Sequence, residues 1–153
     1  MKKYFIYLTF LTFTISLSAA DRNIGIGILL GNPSSMVLKY KLESNHYISG
    51  GIGYAPFTDS GIVIHADYLH RDFDLFPQLQ YMNFYYGFGV RLSDEEKGLG
   101  VGARGVVGAF LKHRTIPLEV FFETAPVFRL FPDTELGLDF GVGIHYFFDS
   151  SGF

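Results

Sequence analysis

The chain has 153 residues, with 12 lysines and arginines against 15 aspartates and glutamates, a formal net charge of −3, and neither cysteine nor tryptophan. A mildly acidic chain of this length, without a basic tract, offers no electrostatic footprint for nucleic acid and is sized for one domain. The absence of cysteine excludes a disulfide framework, so an exported fold must hold itself together by backbone hydrogen bonds and packing.

Lys2 and Lys3 give a positive start, Tyr4 to Leu17 is an uncharged, mainly apolar run, and Ser18-Ala19-Ala20 supplies small residues. That order predicts a signal peptide over 1–20, cut before Asp21. The apolar run is short for a helix crossing about 30 Å of hydrocarbon, which takes about 20 residues. Losing Lys2 and Lys3 moves the net charge from −3 to −5. If the remainder enters a membrane it must do so as a closed barrel, because no later segment is long and apolar enough for a spanning helix.

Alternating apolar and small or charged residues, punctuated by turn residues, predict eight strands. The first runs from Asn23 to Leu30 and turns at Gly31-Asn32-Pro33-Ser34. The second spans Met36 to Leu42, then Glu43-Ser44-Asn45, and the third Tyr47 to Ala55, closed by Thr58-Asp59-Ser60-Gly61. The fourth, Ile62 to Arg71, ends in Asp72 to Pro77, and the fifth, Gln78 to Leu92, in Ser93 to Lys97. Gly98 to Lys112 is the sixth, with a turn from His113 to Ile116. Pro117 to Leu130 is the seventh, and after Pro132-Asp133-Thr134 the eighth covers Glu135 to Phe148. The expectation is an all-β, antiparallel, up-and-down transmembrane barrel over 21–148, with 149–153 as a short periplasmic tail. An even strand count returns both ends to one side, as a bacterial barrel requires.

Facing decides between membrane and water. In the eighth strand Leu136, Leu138, Phe140, Val142, Ile144, Tyr146 and Phe148 share one face, against Gly137, Asp139, Gly141, Gly143, His145 and Phe147. The interior of an eight-stranded barrel is only wide enough for side chains to fill. The large apolar set does not fit there, whereas the glycines leave room for the charged residues between them. The apolar face is therefore expected to meet lipid. Tyr40, Tyr54, Tyr68, Tyr86, Tyr146 and Phe148, near strand ends, form the expected aromatic girdles. Pro126 lacks a ladder donor and predicts a bulge near the outer rim of the seventh strand.

The inward face collects charge. A lumen network of Lys39, Lys41, Asp67, Arg104, Glu119, Glu123 and Asp139 is expected, with Arg91, Lys112 and Arg129 on the same face. A turn at 113–116 pairs Glu123 near Val106 and sets Arg104 diagonal to it, and a turn at 131–134 sets Asp139 opposite Ala125 or Val127. Such charges read as an ion path or, preferably, as a salt-bridge plug, because lone buried charges are costly. His65 and His145 fall at opposite ends of the lumen. His46, His70 and His113 fall at strand ends or turns with no second ligand at hairpin spacing, so no metal and no cofactor are expected. Ser60 and His65 are the nearest thing to a catalytic pair and lack a third member, so no catalysis is expected.

The stretches GIGILLGNPSSMVLKYKL (25–42), PLEVFFETAPVF (117–128) and LGLDFGVGIHYFF (136–148) resemble small OmpA/OmpX-type outer-membrane β-barrel proteins. The resemblance implies the cell outer membrane of a Gram-negative-type (diderm) bacterium, outer-membrane lipid as surroundings, and a monomer. It also implies insertion by the barrel-assembly machinery, reading Phe140, Val142, Ile144, Tyr146 and Phe148 as the C-terminal signal. It implies no substrate. The outer hairpins (31–35, 57–61, 93–97, 131–134) are shorter than the long displayed loops of OmpX-type barrels, which argues against adhesion, and no peptidoglycan-binding domain is expected. The function expected is structural or surface-exposed, the alternative a narrow pore or transport-associated barrel, and after it a lipid A-modifying enzyme.

Overall fold

The computed structural model describes residues 24–57, 61–72, 78 and 81–148; the expected signal peptide, the tail 149–153 and Ser60 lie outside the described residues. Among them the chain forms eight strands and no helix: β1 (Ile24–Asn32), β2 (Ser34–Lys41), β3 (His46–Ala55), β4 (Gly61–Asp72), β5 (Met82–Glu95), β6 (Gly98–Lys112), β7 (Leu118–Phe131) and β8 (Glu135–Phe147). Each strand pairs antiparallel with its sequence neighbours, and β1 pairs with β8 to close the barrel. We call the rim where β1 begins and β8 ends basal, and the opposite rim apical.

Closure fixes the stagger. From Gly25 the ladder runs through Lys39, Ser49, Asp67, Gly89, Arg104 and Val127 to Gly137. Continuing the β1–β8 pairing, in which Gly31 faces Gly141, sets Gly137 level with position 35, a stagger of ten residues from the start. A stagger of about ten over eight strands, with about 3.3 Å per residue and about 4.8 Å between strands, tilts the strands by about 40°.

Period-two alternation sorts the side chains. Ile26, Ile28, Leu38, Ile52, Ile64, Phe88, Val107, Phe122, Val142 and Ile144 point outward and are exposed, whereas Leu29, Val37, Tyr47, Leu69, Tyr85, Val106, Phe110 and Phe121 are buried inside. Glycines between them create the space. A Cβ at Gly108 would land in the Tyr85 ring, one at Gly143 in the Phe121 ring, and one at Gly51 on the His65 imidazole. Gly108→Leu is therefore expected to lower stability by about 1–3 kcal/mol through overpacking. Gly105→Ala meets only Pro126 Cγ at 3.8 Å, so it should leave the denaturant midpoint nearly unchanged.

Three expectations need correction. The polar run Ser93 to Lys97 is mostly strand, with Glu96 and Lys97 alone between β5 and β6. Its inward members are not solvated, since the Ser93 hydroxyl donates to Glu95 at 2.8 Å and Arg129 donates to the same carboxylate at 2.6 Å. The tight reversal is completed by Gly98, whose φ of 117° L side chains rarely adopt. Glu123 faces Gly108 and not Val106, a two-residue slip set by where the 113–117 turn closes. Finally, β7 does carry a bulge near the apical rim, where Val101 faces Phe131 but Gly102 faces Arg129, but Pro126 is not the residue that makes it. Pro126 itself keeps the β7–β8 register opposite Leu138, and on the β6 side the same register holds on either side of it, at Val107–Thr124 and Arg104–Val127.

Candidate functional site

The interior is the place where chemistry concentrates, and it is built in tiers. In the basal half Glu119, on β7, is fully buried at 0% exposure between two cations. One guanidinium nitrogen of Arg71 donates to both of its oxygens at 2.8 Å, and Lys39 donates to Oε1 at 3.3 Å. Aromatic faces line the same chamber: the Arg71 guanidinium lies 4.0 Å from the Tyr47 ring centroid and 4.2 Å from that of Phe110. Lys39 Nζ sits 4.9 Å from the Tyr85 centroid and 5.2 Å from that of Phe121. Ring quadrupoles add attraction where water is excluded. His145 stacks on Phe121 with centroids 4.3 Å apart and brings Nδ1 within 3.7 Å of Glu119.

The middle tier is organised by Arg104 on β6. It donates to Glu123 at 2.7 Å and to Asp139 at 3.1 Å, and its Nε lies 3.0 Å from Asp67. Gly89 lies on the strand between Asp67 and Arg104, and a Cβ there would strike Asp67, so glycine is what lets this ion pair cross β5. Arg91 Nε is 3.2 Å from Asp139, and His65 Nδ1 is 2.9 Å from Asp67. The Tyr85 hydroxyl donates to Glu123 at 2.9 Å and so joins the two tiers.

At the apical rim Arg129 bridges Glu95 and Glu135, with Lys97 and Asp133 paired at 2.9 Å in solvent. Their shared hydrogen bond raises the Lys97 pKa and lowers that of Asp133. Such exposed pairs add little stability, so Lys97→Ala should leave the denaturant midpoint unchanged.

Among the described residues, Lys39, Arg71, Arg91 and Arg104 are the buried cations of the interior, and Asp67, Glu119, Glu123 and Asp139 the buried anions. Four face four, so the interior is neutral before either histidine is counted. Burying a charge is tolerated when it is paired and hydrogen-bonded. Bulky paired side chains filling an eight-stranded barrel fit a plugged interior.

Of the seven charged residues expected inside, the structure brings six together: Lys39, Asp67, Arg104, Glu119, Glu123 and Asp139. Lys41 is half-buried at the basal end of β2 and has no ion-pair partner among the described residues. Arg71 is an addition to the expected network: it stands at the last position of the expected fourth strand, yet it continues the inward series Val63, His65, Asp67, Leu69. Phe140, Val142, Ile144, Tyr146 and Phe148 all point outward and are exposed.

The histidines divide in two. His65 and His145 are buried in different tiers. The expectation that His46 and His70 lack a partner at hairpin spacing is wrong: they face each other directly across the β3–β4 ladder, ring centroids 4.8 Å apart. His46 Nδ1 is 2.8 Å from the Tyr68 hydroxyl, and His70 lies 5.3 Å from the Tyr86 ring. No protein-family model matches this chain, and no curated protein matches it either.

Proposed function

We propose that the chain is exported, loses residues 1–20, and lies in the outer membrane of a diderm bacterium as a monomeric OmpA/OmpX-like barrel. Its lumen is shut by paired charges, and its role is structural or surface-exposed, without catalysis. The observation that carries this reading is the inverted sidedness of the wall. Every strand contributes large, apolar, exposed residues to the outside, while four cations and four anions are buried within. In water such a continuous apolar surface would aggregate; in lipid it is the required exterior. About ten residues tilted by about 40° rise about 25 Å, the height of the apolar band of such barrels. The short apical turns favour a structural role over adhesion, and His65, bound to Asp67 inside the wall, is out of reach of a lipid outside it.

Three measurements test this. The detergent-folded chain should migrate faster unheated than boiled, and an unchanged position would count against the barrel. Val142→Arg, in the middle of β8, should cost about 2–4 kcal/mol of folding stability in lipid vesicles, and Leu136→Arg, near the apical rim, about 0–1 kcal/mol. Equal costs at both depths would contradict a lipid-facing wall. Lipid A from cells with and without the protein should have the same mass spectrum, and a changed acyl pattern would favour an enzyme.

A further inference from the structure

We propose that His46 and His70 form a surface site for a transition-metal dication, with Cu2+ preferred over Zn2+. The two residues are direct partners on neighbouring antiparallel strands and share the outward face, at the basal end of the β3–β4 pair. Ring centroids 4.8 Å apart bring two imidazoles close enough for one ion to bridge them after a small rotation of either ring. The backbone fixes this spacing, because the β3–β4 ladder runs unbroken from His46–His70 to Ala55–Gly61.

The surroundings orient the ligands. The Tyr68 hydroxyl lies 2.8 Å from His46 Nδ1, and the Tyr68 ring stacks with His46 at 5.5 Å. If Nδ1–H donates to the tyrosine oxygen, Nε2 carries the free lone pair, the tautomer a metal needs. On the other side Tyr86 packs against His70 at 5.3 Å and limits its swing. Tyr68 is thus a positioning residue and not a ligand.

Among the described residues no set of three or more His, Cys, Asp or Glu is arranged around an ion, so this pair supplies two nitrogens and water completes the shell. Imidazole nitrogens select copper, nickel and zinc, with copper strongest in the divalent series, and a site without a carboxylate discriminates against Mg2+ and Ca2+.

The test is a Cu2+ titration of the detergent-folded full-length barrel, followed by calorimetry and by electron paramagnetic resonance. One equivalent should bind saturably, with a signal from two imidazole nitrogens, and Mg2+ should not compete. His46→Asn or His70→Asn should each weaken binding at least about tenfold and reduce the pattern to one nitrogen, while Tyr68→Phe should weaken it by about 10–100-fold. His113→Asn, whose ring is engaged by its own loop through Thr115 and Ile116 amides, should change nothing. Heat-modifiable migration of each variant shows that it is folded. Absence of a saturable equivalent, or binding that survives either His46→Asn or His70→Asn in a folded barrel, would overturn the site.

Discussion

Glu119→Leu should destabilise the barrel by about 3–5 kcal/mol, the cost of leaving a buried charge without its partner. Here the loss is compounded, because one carboxylate serves both Arg71 and Lys39 in a chamber otherwise walled by Tyr47, Tyr85, Phe110 and Phe121. The stability of the folded barrel in lipid vesicles, read from reversible unfolding in urea, measures it. Replacing the whole group, with Lys39→Met and Arg71→Met added to Glu119→Leu, should restore most of the loss, since well-packed apolar side chains often match a buried ion pair. A single Glu119→Leu that unfolds at the wild-type midpoint would show that the chamber is wetter than its burial implies.

Arg104→Met should be of similar size, about 3–5 kcal/mol, for the opposite reason. It strands three carboxylates, Asp67, Glu123 and Asp139, of which only Asp139 has a second guanidinium at hand, from Arg91. Adding Asp67→Asn and Glu123→Gln should recover part of the deficit, with a coupling energy of about 0.5–3 kcal/mol in the same unfolding experiment. Strict additivity would mean that Arg104 does not organise the middle tier as its geometry indicates.

These two residues also mark how far the sequence could be read. That Glu119, Glu123 and Arg104 face inward follows from period-two alternation, which is local and survives errors in strand ends. Which groups they touch is set by strand tilt and by glycines that let long side chains cross a strand, and neither is visible in one strand alone. Thus Glu123 meets Arg104 although the ladder places it opposite Gly108, four residues away along β6. The His46–His70 pairing depends on the centre of the β3–β4 turn. A turn taken as 58–61 sits too late and carries His46 past the end of β4. Arg71 and Glu95 are not legible as interior groups from local sequence, because charged residues ordinarily mark strand ends, whereas here the inside of the barrel is the polar side.

The central claim, an apolar wall around a shut and charge-neutral interior, is tested most directly by planar-bilayer conductance of the wild-type barrel, with insertion checked by heat-modifiable migration of the same preparation. The inserted protein should leave the bilayer without discrete current steps over a range of voltages. Reproducible single-channel steps would contradict the plug and favour a pore.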